Sequence, residues 1–135
     1  MFDVNEIAVF VSALLALALG SIWYSPLVFG RLWQNAAGLT DADLELTKPA
    51  LTRSLVVALV GNTIVLFVIA HFVRFAAMYS FSRSTLILGI IALLAASMAS
   101  MVVWEKRPFM YFVIHTGYAA LVVIMGVVVI SLWPW

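Results

Sequence analysis

Cysteine is absent from this 135-residue chain, and only 10% of its residues are charged. Without cysteine there is neither a disulfide framework nor a thiolate ligand for a metal. A formal net charge of +1 supplies no basic field to neutralise a nucleic-acid backbone, so a nucleic-acid partner is excluded. HExxH, GxSxG and phosphate-cradling glycine loops are missing, and no pair of carboxylates falls within an apolar stretch. The two histidines, His71 and His115, do not make a metal site. The expectation is therefore no metal, no cofactor and no catalytic residue, with a membrane-embedded enzyme the least favoured class.

What is present is apolar: 66% of the residues are hydrophobic, and the mean hydropathy is +1.18. A soluble domain carries roughly 45–50% apolar and about 25% charged residues. Hiding this much apolar surface from water would need far more polar covering, whereas lipid serves as solvent for the outer faces. Charges cut the chain into four long apolar runs, 7–24, 54–73, 84–104 and 109–133. Each approaches or exceeds the roughly 30 Å of a hydrocarbon layer at about 1.5 Å per residue. In lipid a span must satisfy its own amides and carbonyls, which favours helices, and a barrel would need shorter, alternating strands. The expected fold is all-α, one membrane domain over 1–135 with four transmembrane helices. The leader MFDVNE holds Asp3 and Glu6 where a signal peptide holds positive charge, so the first run is read as a retained span.

The first run carries Ala8, Ser12, Ala16 and Gly20 at four-residue spacing, a narrow face for close helix approach. It ends in Trp23-Tyr24-Ser25-Pro26. Ser25 and Pro26 suit the N-cap and first position of a short interfacial helix over 26–37, closed by Gly38. Thr40 with Asp43 forms a capping-box pattern opening a turn through Leu46, and Pro49 interrupts or starts helix before the second span. Gly61 is read as permitting close approach, as are Gly89, Ala92, Ala96 and Ser100 in the third span. Trp23, Trp33, Trp104, Trp133 and Trp135 are the expected interfacial anchors.

Four antiparallel passes gather the scarce polar residues at one face. Tyr24 and Ser25 share a layer with Glu105 and Arg107, His115 lies about 10 Å deeper, and Tyr118 follows one helical turn on. With Asn62 near mid-membrane, these seven residues form a candidate polar vestibule. Each has a structural reading beside it. Asn62 serves as interhelical glue, His115 as a neutral hydrogen-bonded ring, and Glu105–Arg107 as an ion pair fixing a tight turn. His71 is read as solvated at the boundary. Loops one and three hold Arg31, Lys48, Arg53, Lys106 and Arg107 against Arg74 and Arg83 opposite, which orients both loops to the cytoplasmic side of an inner membrane.

The segments WYSPLVFGRLWQNAAGLTDADL and EKRPFMYFVIHTGY carry a family resemblance. The chain resembles the bacterial domain-of-unknown-function family 1761 through Trp23-Tyr24-Ser25-Pro26, Phe29-Gly30-Arg31, Trp33, Gly38-Leu39-Thr40, Glu105-Lys106-Arg107-Pro108 and Gly117-Tyr118. The resemblance implies a small multi-spanning membrane protein and brings no reaction or cofactor. Two functional classes fit these residues. One is an oligomeric protein, built as a homo-oligomer, that binds or transports a small solute. The other is a structural or regulatory protein that binds another membrane protein.

Overall fold

The computed structural model describes residues 4–45 and 48–134. Helix follows helix in chain order: α1 (Glu6–Trp23), α2 (Gly30–Ala37), α3 (Asp41–Leu44), α4 (Lys48–Met78), α5 (Arg83–Trp104) and α6 (Phe109–Leu132). Four of these, α1, α4, α5 and α6, are long and apolar enough to cross a membrane. The protein is an all-α, multi-pass membrane bundle.

Helix ends follow local chemistry. Asn5 caps α1, its Oδ1 accepting from the Ala8 N–H at 3.0 Å. The Thr40–Asp43 capping box opens α3, and those hydrogen bonds from Thr40 hold the Asp43 carboxyl below its usual range. Leu46, where that turn was expected to end, lies outside the described residues. Pro49 sits in the first turn of α4, where a missing N–H costs nothing. Three helices close with the same device, a left-handed residue followed by an N–H reaching back five positions. Gly38, Ser80 and Lys106 take φ of 70°, 53° and 52°, and Leu39, Phe81 and Arg107 donate to Gln34, Ala76 and Val102.

Two boundaries differ from the sequence expectation. The interfacial helix starts at Gly30 rather than Pro26, because the Ser25 carbonyl accepts from Val28 at 3.1 Å and Gly30 at 2.8 Å. That doubly used acceptor folds 25–30 into a compact turn, and Ser25 caps nothing. The second span is also longer than 54–73. α4 has 31 residues, about 46 Å, because Arg53 and Arg74 mark the limits of the apolar run without breaking the helix.

The core lies where α1, α4 and α6 meet. Val9, Ala13 and Ala16 of α1 pack with Leu66, Ile69, Ala70 and Val73 of α4 and with Val122, Val123, Val127 and Ile130 of α6. Ala8, Ser12 and Ala16 are fully buried, and Ser12 Oγ donates to the Ala8 carbonyl at 2.8 Å, so the small-residue face of α1 is its packed face. Since lipid is as apolar as these side chains, what holds the helices together is close packing. α5 leans mainly on α6, and only Val102 within it is buried. Its small residues Gly89, Ala92, Ala96 and Ser100 face outward, contrary to the expected tight packing. A Cβ added at Gly61 or Gly89 would meet nothing within 4 Å, so neither glycine permits a close approach.

Candidate functional site

The polar residues converge beneath α2. Trp33, in the middle of α2, donates its indole N–H to His115 Nε2 of α6 at 3.3 Å, and His115 Nδ1 lies 2.9 Å from Tyr24 Oη. An indole N–H can only donate, so Nε2 is the unprotonated nitrogen. The neutral ring then carries its proton on Nδ1 and donates it to Tyr24. Both ring nitrogens are thereby engaged. Tyr118, one turn below His115, donates to the Ala16 carbonyl at 3.0 Å. The rings of Tyr24 and Tyr118 meet edge-on at 5.5 Å, which ties the end of α1 to α6.

Replacing Trp33 with phenylalanine removes the donor to Nε2 while keeping an aromatic ring. The expected cost is about 1 kcal/mol of bundle stability, the usual worth of one such bond. Nitrogen NMR of His115 should show the Nδ1–H tautomer losing its dominance. An unchanged tautomer balance would contradict the assignment.

A cavity of about 310 Å³ opens below this network. Tyr24, Asn62, His115 and Tyr118 supply its polar lining, while Leu94 and Met98 of α5 and Val122 and Val123 of α6 are among its apolar walls. Its floor is the packed core. A larger hollow of about 600 Å³ between α1 and α6 is lined by apolar residues such as Leu15, Leu19, Ile124 and Val128, which makes it a lipid-facing groove. The cavity at Asn62 differs because it joins hydrogen-bonding groups from three helical segments.

Of the seven vestibule residues read from the sequence, the structure brings together Tyr24, Asn62, His115 and Tyr118. Ser25 stays in the turn above, contributing its carbonyl to the backbone. Glu105 and Arg107 stand apart from the cavity on the exposed α5–α6 turn, paired with each other at 3.4 Å. Such an exposed pair contributes little by itself. Arg107 also donates through Nη1 to the Ala37 carbonyl at 2.7 Å and lies 5.6 Å from the Tyr111 ring centroid. It thus holds the C-terminal end of α2, where helix carbonyls lack partners. His71 bonds to the Phe67 carbonyl at 2.9 Å and takes no part in the cavity.

The tryptophans divide into two kinds. Trp23 donates to the Ile114 carbonyl at 3.1 Å and Trp33 to His115, so both are inward-reaching ties between segments. Trp104 is 84% exposed, consistent with an anchor at the lipid boundary, and Trp133 is half-buried. Trp135 lies outside the described residues. Missed in the sequence were the role of Trp33 and the apolar walls, Met98 and Leu94 among them, for which no local signal exists. Among the described residues, no group of three or more His, Cys, Asp or Glu side chains is placed to hold a metal ion.

These features define a class: a four-span membrane protein whose short helix α2 is tied down over a half-open, partly polar cavity. The family model for "Protein of unknown function (DUF1761)" matches residues 7–130, and the chain belongs to that family. No curated protein and no solved structure matches it.

Proposed function

We propose that this protein binds a small ligand within the membrane, in the cavity bounded by Tyr24, Asn62, His115 and Tyr118. The observation that carries this reading is the cavity itself. It holds about 310 Å³, has hydrogen-bonding groups at one end and apolar walls along its length, and sits beside an otherwise close-packed core. Small-molecule sites have this composition, and the volume falls at the lower end of their range. The excess of basic residues in loops one and three supports a cytoplasmic location for the α2 side of an inner membrane.

Thermal unfolding in detergent against a broad panel of small molecules tests the reading. A ligand present at a hundred times its Kd should stabilise the wild type by about 2.7 kcal/mol. Ala119→Leu, which places added bulk at the cavity wall, should abolish that response. If no compound shifts the wild type, or the filled variant responds equally, the reading fails. Protein-dependent solute flux through vesicles, reduced in Asn62→Ala or His115→Ala, would extend binding to transport.

A second reading is supported by the weak engagement of α5. Its outward small residues and single buried side chain fit a face covered by a second copy of the chain or by another membrane protein. Cross-linking from Ala96 tests it, with an unshifted monomer in lipid as the contrary result.

A further inference from the structure

We propose, building on the ligand-binding reading, that the cavity selects an uncharged molecule carrying a carbonyl-type hydrogen-bond acceptor at one end of an apolar body. Two observations on polarity lead there. The first is the lack of charge: no acidic or basic side chain lines the cavity, and His115 is neutral with both nitrogens engaged. Arg107 is occupied at the Ala37 carbonyl and at Glu105. An ion placed beside Asn62 would be stripped of water with no opposite charge to meet it.

The second is the balance of protons. Tyr24 accepts from His115 Nδ1, so its own hydroxyl proton is not used in that bond, and no other hydrogen bond of this hydroxyl is seen among the described residues. Tyr118 spends its proton on the Ala16 carbonyl and so brings no donor to the cavity, whereas the Asn62 carboxamide lines it. A carboxamide carries two N–H groups, so Asn62 is a donor there. The polar end of the cavity therefore offers a Tyr24 O–H and an Asn62 N–H, a pair of donors matched by an acceptor. A ketone, ester or primary amide oxygen meets that demand; a hydrocarbon leaves it unmet.

The route is set by α4. Every residue from Leu51 to Ala58 is exposed, and the space beside Gly61 is open. α4 therefore stands away from its neighbours just above Asn62, while α5 touches it only sparsely. A molecule dissolved in the acyl chains reaches Asn62 through this gap without crossing the headgroup layer.

The test uses four eight-carbon probes: octane, 2-octanone, octanoate and octylammonium. Their affinities for the full-length protein in detergent are read from the dependence of unfolding temperature on probe mole fraction. 2-Octanone should bind at least about ten-fold tighter than octane or either ion, the factor associated with one well-made hydrogen bond. Tyr24→Phe should lower the ketone affinity by about ten-fold and leave octane unchanged. Asn62→Leu, which keeps the Tyr24–His115 bond, should act in the same direction and covers the case in which Tyr24→Phe does not fold. Octanoate or octylammonium binding as tightly as the ketone would overturn the proposal, as would full ketone affinity in both variants. If octane and ketone bind equally and Ala119→Leu abolishes both, acceptor selection falls while the cavity reading stands. If no probe binds, this proposal falls, and the broad panel alone then decides the cavity reading.

Discussion

Replacing Gly126 with leucine is expected to lower the stability of the folded bundle by at least about 3 kcal/mol, the upper end of what overpacking a core costs. Gly126 is buried on α6, and a Cβ there would collide with Leu66 Cδ2 of α4. A methyl at the tip of a flexible side chain can often swing aside. Leu66 cannot do so cheaply, because it is fully buried between α1, α4 and α6. The only relief is to move helices apart, and packing is what holds helices together in lipid. Leucine at Gly61 or Gly89 supplies the contrast, since an added Cβ there meets nothing within 4 Å. Those two variants should stay within about 0.5 kcal/mol of the wild type. Unfolding titrations followed by circular dichroism separate the outcomes; equal losses at all three positions would contradict the packing described.

The contrast between these glycines shows what a sequence discloses about such a bundle. Length and charge spacing disclose the number of spans, because lipid imposes both. Local chemistry discloses the break after Tyr24, the Thr40–Asp43 box and the left-handed Gly38, each decided within a few residues. Helical rise likewise places His115 and Tyr118 successively below Tyr24, with Asn62 near mid-membrane. It does not disclose which way a residue faces around its helix. Gly61 and Gly126 look alike in the sequence, yet one faces open space and the other a buried leucine. Glu105 and Arg107 share the layer of Tyr24 but lie exposed on a turn. Trp33 has the composition of a lipid-boundary anchor, and its bond to His115 depends on how α2 is laid back across α6.

That docking joins the two segments that carried the family resemblance. The first contributes Trp23, Tyr24, Gly30 and Trp33; the second contributes Arg107, His115 and Tyr118. Trp23 reaches Ile114, Trp33 reaches His115, and Arg107 reaches back to Ala37. Loop one and the start of α6 are therefore one joint, and the cavity lies directly beneath it. A ligand in the cavity would touch Tyr24 and His115, the same groups through which α2 is held.

Gly30→Ala is expected to undo this joint while leaving the four spans in place. Gly30 is buried where the compact turn enters α2, and a Cβ there would overlap the Tyr24 carbonyl oxygen and lie 2.6 Å from that of Ser25. Both obstacles are backbone, so no rotamer change relieves them. The Ser25 carbonyl is fixed in addition by accepting from Val28 and Gly30. The turn must open, with an expected cost of about 2–3 kcal/mol. Opening it swings α2 and breaks the Trp33–His115 bond. Hydrogen exchange should therefore accelerate across 30–37, and tryptophan emission should shift to the red, with helix content nearly unchanged. Gly38→Ala is the matched control: its φ of 70° strains a Cβ, but the space around it is empty. That variant should cost about 1 kcal/mol, fray only the end of α2 and keep the Trp33 signature. If Gly30→Ala protected 30–37 as well as the wild type does, space at Gly30 would not be what seats α2 over the cavity.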